Sequence, residues 1–555
     1  MKRFLSIICT AAIFVTMVLI CPVVFAMNQR GDVNGDSTID MKDVLLLRKA
    51  IADLAQEYDA VAADCNGDSA MDMKDVLLLR KYIADMDVEL APIEETSEVI
   101  TTTTVEPTQA PTTTTKATRD FVYDTIPDQI TLSYYDEACT QMGVSWHTTK
   151  KANNPVVQYV KVTADVGPDF SAADASYATM KSYKTKAAPY DKDSNMFFLD
   201  TTVGYSVIDD YSYHAVMTGL EFGTTYAYRI GDQTDGVWSE VAIFKTRDAN
   251  VSEFSFLYTS DTQGTGNTNN FLYQNMEKVF SGAAITNPDF KFIINGGDVT
   301  QNPKYLHEWQ NILNGNKNIL KSYPFMLVSG NHEASISNYS DTDETYRHTT
   351  VQLPQPNSNI NRGIFYSFSY GNAHFIVLNS DSYDKTNGCI DEEQLEWFKS
   401  DMENNAKKWN IVLIHRPLIP LRDTTTASLE QLAPLFAQYK IDLVFQAHEH
   451  IYMRSYPIAS DGSAIKDINT KTVNGVECIE KPEGFVCITS ATGGDQAKKS
   501  SGLGAGEGKY IAYSDAMKNS WTDVTVSDDA IILKSYAANG DSPKAYPNSV
   551  WGITK

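Results

Sequence analysis

Cysteine is scarce in this chain of 555 residues, with seven in all, and Cys9 and Cys21 fall inside an N-terminal apolar run. The rest, Cys65, Cys139, Cys389, Cys478 and Cys487, are an odd and scattered set without metal-type spacing. Cys478 and Cys487 are near enough in sequence for a local disulfide, but no cystine framework can hold so long a fold. Positive charge is also short: 46 Lys and Arg stand against 70 Asp and Glu, a formal charge of −24. A nucleic-acid surface needs clustered cations, so that partner class is excluded. Long apolar runs are missing beyond residue 26, so no later segment is expected to span a membrane. The first run itself has Lys2 and Arg3 ahead of it and the small Ala26 behind it. That pattern predicts a signal peptide over residues 1–26 and a secreted, extracellular product.

What is present begins with a repeat at a spacing of 32 residues. Asp32, Asn34, Asp36, Asp40 and Asp43 recur as Asp64, Asn66, Asp68, Asp72 and Asp75. These oxygens occupy positions 1, 3, 5, 9 and 12 of a loop, with Thr38 and Ala70 at position 7, where calcium loops use a backbone carbonyl. Each loop runs into Val-Leu-Leu-Leu-Arg-Lys, a helix with one apolar face. Glycine at position 4, Asp at position 12 and no entering helix set these loops apart from EF-hands. The segment resembles the type I dockerin of cellulosomal proteins. The resemblance implies two calcium ions and docking to a cohesin of a scaffoldin, with Met41, Lys42, Met73 and Lys74 as cohesin contacts. It places a dockerin at residues 28–90, ahead of the rest of the chain, where most dockerins come last. Residues 91–118, rich in Thr and Pro, cannot bury a core and are expected to be a linker.

From 119 to 248 short alternating runs rich in Tyr, Thr and Val lie between turn signals, the pattern of a β-sandwich. The stretch resembles the fibronectin-III-like domain that precedes the catalytic domain of purple acid phosphatases. Trp146 and Tyr226 are expected in its core, with His147 and His214 as surface or core groups.

From 252 to 555 five apolar runs stop at metal-type ligands. Phe254–Tyr258 leads to Asp261 and Gln263, Phe290–Ile294 to Asp298, and Phe325–Val328 to Asn331, His332 and Glu333. Ile411–Ile414 then leads to His415 and Arg416, and Leu443–Phe445 to His448, Glu449 and His450. Short apolar runs between helical stretches are buried strands of an α/β layer, and their carboxyl ends are where sites assemble. Asp, Asn and His in that series predict a two-metal hydrolytic centre.

These motifs resemble the calcineurin-like metallophosphoesterases, and within them the purple acid phosphatases. The implied fold is an α/β sandwich of β-sheets flanked by helices, which makes the whole chain multidomain. The resemblance implies that Asp298 bridges two metals, that Asp261 and His450 complete the first, and that Asn331, His415 and His448 hold the second. His332 and Arg416 are then the catalytic candidates, His332 protonating the leaving oxygen and Arg416 neutralising a phosphate oxygen. Glu333 and Glu449 are expected either to face solvent or to support the site, most usefully by orienting a histidine.

The family carries a tyrosine three residues after the bridging Asp, and here that position is Gln301. Gln263 or Gln301 is left to supply a neutral oxygen, with Fe, Mn or Zn as the metals and no purple colour expected. The histidine that the family often places between Arg416 and His448 is also absent. The implied activity is hydrolysis of phosphate monoesters by a metal-bound hydroxide. The alternatives are a phosphodiesterase of the same superfamily and a catalytically inactive, scaffold-docked binding module. His374 is expected to be structural, His307 and His348 need no function, and Trp309 fits a helix face turned to the core.

Overall fold

The computed structural model describes residues 30–34 and 58–66 and isolated positions up to 90 near the N-terminus. Beyond these it describes most of 124–162, 168–187, 206–264, 274–334, 365–381, 390–498 and 508–555. The expected signal peptide and linker, His348 and Cys389 lie outside the described residues. The chain divides into two compact units, residues 1–115 and 116–555.

In the first unit a small core gathers Val33, Leu47, Ala63, Cys65, Val76 and Leu79. Burial, then the nearby Asp75, pushes the Cys65 thiol up to about 12, so it packs as an inert apolar group.

The second unit opens with two antiparallel sheets. One has four strands in the order Asp128–Tyr134, Met142–Thr148, Ser206–Met217, Thr179–Ala187. The other is built on Pro155–Lys161 and Thr225–Asp232. Alternation turns Trp146, Tyr213, Tyr226 and Tyr228 inward, with Trp146 stacked on Tyr213 at 5.4 Å. His147 is buried against Asp210, Nδ1 to Oδ1 at 2.9 Å, a hydrogen bond inside the β-domain core.

Residues 254–555 form two further sheets packed face to face. An eight-stranded sheet carries Phe325–Leu327, Ile293–Asn295 and Phe254–Thr259 as parallel neighbours, then the antiparallel Ser520–Val526. A seven-stranded sheet carries Ala373–Leu378, Trp409–Ile414, Leu443–Gln446 and Val486–Thr489 in parallel. Parallel strands need crossovers, and helices supply them. Gln274–Thr286 and Leu306–Gly315 cover the first sheet, Glu392–Asn405 and Ala427–Gln438 the second. The core between the sheets is aromatic, with Phe256 stacked on Phe292 at 5.1 Å, and it continues through Tyr134 into the β-domain.

The five apolar runs therefore divide between two sheets rather than sharing one layer, and the carboxyl ends of both sets meet. Cys478 and Cys487 are free buried thiols in separate core clusters, so the local disulfide does not form. Trp309 is buried in the core beneath the first sheet. His307, to which the sequence assigns no function, is fully buried in the helix Leu306–Gly315. His374 is clamped between Ser369 (2.9 Å) and Asp401 (2.8 Å), tying the strand Ala373–Leu378 to the helix Glu392–Asn405.

Asp523 lies on the strand Ser520–Val526, opposite Leu257 and Lys534. Burial, offset only in part by Thr286 and Lys534, pushes its carboxyl up to about 7. The folded chain then holds a proton that the unfolded chain releases, so stability is lost as pH rises from about 4 to 7. Asp523→Asn should remove that slope and stabilise the protein at pH 8 by up to about 4 kcal/mol, a ceiling set by a shift of about three units at about 1.4 kcal/mol each. Melting temperatures of both proteins at pH 5 and pH 8 test this; parallel pH dependence would refute it.

Candidate metal centre

Each ligand-type residue sits just past the end of a strand. Asp261 follows Phe254–Thr259, Asp298 follows Ile293–Asn295, and Asn331 follows Phe325–Leu327 by opening a one-turn helix. His415 follows Trp409–Ile414, and His448 and His450 follow Leu443–Gln446. Asp261 (φ 50°), Asp298 (φ 53°), His448 (φ 71°) and His450 (φ 51°) all have left-handed backbones. Such conformations cost non-glycine residues about 1–3 kcal/mol each and persist where the surroundings hold them. Gly297 (φ 103°) and Gly330 let the loops close: a Cβ at Gly297 would lie 2.6 Å from His415 Nδ1, and one at Gly330 2.3 Å from Asp298 N.

The structure gathers these side chains into one buried cluster. Asp298, His415 and His448 offer ligand atoms all within 4.8 Å of one another, and so do Asp261, Asp298 and His450. Asp298 belongs to both groups. Its Oδ2 is 3.3 Å from His415 Nε2, which is itself 3.2 Å from Asn331 Oδ1. Asp261 Oδ1 is 3.4 Å from His450 Nε2, and the backbone N–H of His448 donates to both Asp261 oxygens at 3.1 Å.

Two imidazoles have their far nitrogens engaged by carbonyls, His415 Nδ1 on Gly296 O (2.8 Å) and His450 Nδ1 on Gln496 O (3.2 Å). These contacts take up Nδ1 and leave each Nε2 facing the cluster, the atom that would bind a metal once it carries no proton. Burial would raise Asp298 and lower His415, yet their contact overrides both effects. His415 is held up at about 10 and Asp298 below the usual carboxylate range. Burial raises Asp261; burial and then His415 push His448 down to about 3. Two buried carboxylates, three imidazoles and an amide oxygen facing one point form a donor set suited to transition metals.

The catalytic candidates stand at the rim. His332 Nδ1 is 2.8 Å from Gln301 O and its Nε2 is 3.8 Å from Asp298 Oδ2. Arg416 is tied to Asp381, Nε to Oδ1 at 2.6 Å, and is about two-fifths exposed. Gln263 is buried between Asp298 and His450, while Gln301 is half-buried and reaches the site through its carbonyl.

Glu333 holds backbone amides. Its carboxylate accepts the backbone N–H groups of Asp298 (2.9 Å), Gly330 (3.0 Å), Val299 (2.9 Å) and Thr300 (3.5 Å). Glu449 is paired with Lys498 at 3.2 Å.

Three contributors escaped the sequence reading. Asp381 lies past the strand Ala373–Leu378, a sixth strand end that Asn379-Ser380-Asp381 could have revealed. The segment 492–498 walls the first metal position: Thr492 Oγ1 and Gly494 N donate to Asp261 O, and Gln496 O holds His450. Its signal was Gly493-Gly494 shortly after the apolar run Val486-Cys487-Ile488. Lys498 brings a cation to the same rim.

In the first unit, Asp43 and Asp75 are fully buried. Each accepts the N–H of its loop's third residue, Asn34 or Asn66, at 3.1 Å, so the two repeats close alike. Burying carboxylates is costly unless hydrogen bonds or a cation compensate, and calcium is the ion such loops fit. Asp32 is buried, and Asp64 pairs with Arg30 at 3.0 Å. Asp36, Thr38, Asp40, Met41, Lys42, Asp68, Ala70, Asp72, Met73 and Lys74 lie outside the described residues or side chains.

Comparison with known proteins agrees with this geometry. Family models match for a dockerin type I domain at residues 30–84, the purple acid phosphatase N-terminal domain at 127–246 and a calcineurin-like phosphoesterase at 254–452. An uncharacterized protein of Mycobacterium tuberculosis is 27% identical over 59% of this chain and 62% of its own length. Purple acid phosphatase 15 of Arabidopsis thaliana is 27% identical over 44% of this chain and 49% of its own. The chain thus spans about half to three-fifths of these relatives. Among solved structures, purple acid phosphatase PPD1 from yellow lupin (Lupinus luteus) seeds aligns with a TM-score of 0.59 at 15% identity, over 78% of this chain and 74% of that one. The chain carries a calcineurin-like metallophosphoesterase resembling purple acid phosphatases, with the N-terminal domain of that family before it and a type I dockerin ahead of both.

Proposed function

We propose that this chain is a secreted, scaffold-docked phosphoesterase with a two-metal centre, acting on phosphate monoesters. One observation carries the reading: two groups of ligands share Asp298, and each group draws members from both sheets. A decayed site would have lost ligands at random, whereas Asp261, Asp298, Asn331, His415, His448 and His450 all stand. Iron, manganese or zinc ions bound there would supply positive charge to polarise a phosphoryl group and acidify water.

The chain's own residues do the rest. His332, its ring fixed by Nδ1 on Gln301 O, turns Nε2 toward Asp298 and is the side chain placed to pass a proton to the leaving oxygen. Arg416, steadied by Asp381 through Nε, turns the rest of its guanidinium to a phosphate oxygen at the rim. Glu333 holds the Asp298 loop. The dockerin loops take two calcium ions and carry the enzyme to a cohesin. The signal peptide accounts for export; among the described residues no helix is long and apolar enough to cross a membrane.

The test is hydrolysis of an aryl phosphate monoester and the matching diester by purified protein supplied with Mn, Zn or Fe. Faster monoester turnover is expected. Faster diester turnover would move the assignment to a phosphodiesterase, and no turnover of either would leave a docked binding module. Capture by an immobilised cohesin, with calcium and with chelator, checks the docking half on the same sample.

A further inference from the structure

Gln263 is 1% exposed, and its amide lies between two of the candidate ligands. Nε2 is 3.4 Å from Asp298 Oδ2 and 3.4 Å from His450 Nε2. Its Oε1 is buried and without a hydrogen-bond partner among the described residues. A buried amide oxygen is seldom left so, because it forfeits the hydration it had in the unfolded chain.

The neighbours explain the arrangement. With the His450 proton at Nδ1 on Gln496 O, His450 Nε2 is a lone pair, and Asp298 Oδ2 is also an acceptor. In an ion-free cluster the NH2 end of the amide satisfies both. A cation bound among Asp261, Asp298 and His450 would take up those lone pairs and repel the NH2 end. The terminal torsion of glutamine is broad and roughly two-fold, so a half-turn exchanges Nε2 for Oε1 with little other movement.

We infer that Gln263 is a ligand of the first metal through Oε1, and that the centre takes two divalent ions. This rests on the two-metal reading and narrows it. Gln301, at the family's tyrosine position, contributes its carbonyl to His332 and is only half-buried. With Gln263 in place, the ligand set carries two negative charges, from Asp261 and Asp298, and its other members are neutral. A tyrosinate would add a third. A ferric ion is favoured by hard anionic donors, and this set lacks that extra charge.

Equilibrium dialysis of Mn(II) and Zn(II) against the full chain, read by metal analysis, tests the assignment independently of turnover. The intact protein is expected to hold two ions at the catalytic centre beyond any taken up by the dockerin loops. These are the ions that Asp298→Ala removes. Gln263→Met, close in volume but without the oxygen, should weaken one of them about 10–100-fold and leave the other unchanged. Gln263→Glu should restore it, and Gln301→Met should bind as the parent does. Wild-type affinity for both ions in Gln263→Met would overturn the assignment, as would loss of an ion in Gln301→Met. A persistent ferric signal by electron paramagnetic resonance in the air-exposed, iron-loaded protein would overturn the divalent pair. If the parent shows no ions that depend on Asp298, the two-metal reading itself falls, a result distinct from failure at Gln263.

Discussion

Asp298→Ala is expected to abolish phosphoester hydrolysis, with turnover at least about a thousandfold lower. The size follows from its place in both ligand groups: one substitution removes a donor from each metal position. A metal acting on a phosphoryl oxygen is worth several kcal/mol in the transition state, and about 1.4 kcal/mol is a factor of ten in rate. Losing about 4 kcal/mol of that stabilisation therefore gives the thousandfold. Folding should survive better than activity. His415 is held up at about 10 by the Asp298 carboxylate, and once Asp298 is gone burial favours its neutral form. Its Nδ1 bond to Gly296 O would keep the ring in place. Steady-state hydrolysis beside a melting curve separates the two effects. Residual turnover within tenfold of the parent would show that Asp298 is not the shared ligand. Cohesin capture should be untouched, because the dockerin loops are a separate unit.

The five strand ends were legible in the sequence because each is an abrupt change of chemistry. An apolar run stops and Asp, Asn or His follows within a few residues, as at Ile293–Asn295 before Asp298. The dockerin was legible because a period of fixed length repeats the same oxygens. Hidden was everything that depends on pairing between distant segments. The strand Phe254–Thr259 pairs with Ser520–Val526, and Leu443–Gln446 with Val486–Thr489, so the plain β-rich tail is woven into both sheets. For that reason the segment 492–498 reaches Asp261 and His450, mostly through backbone groups that composition does not announce. The continuity of the aromatic core from Tyr134 to Phe292 was hidden in the same way. Glu333 was visible as a residue beside a ligand, but its work is on backbone amides, which carry no sequence signature.

That work makes Glu333→Ala the second large effect. Glu333 is fully buried, and two oxygens receive four N–H groups from two loops: Oε2 takes Asp298 and Gly330, Oε1 takes Val299 and Thr300. Bonds to a charged acceptor are worth about 1.5–3 kcal/mol each, and a buried donor left bare loses its hydration as well. Against this, alanine also removes the cost of burying a carboxylate, and water can enter the space. The balance is a loss of roughly 2–4 kcal/mol, concentrated where Asp298 (φ 53°) holds a strained backbone that needs external support. Glu333→Gln tests the cause more sharply. It keeps the volume but turns one acceptor into a donor facing amide donors, so it should destabilise and weaken metal binding nearly as much as alanine does. Thermal melts and metal dialysis on both variants read the two consequences. If Glu333→Gln melts and binds metal as the parent does, the carboxylate is a space-filler and the Asp298 loop is held by something else.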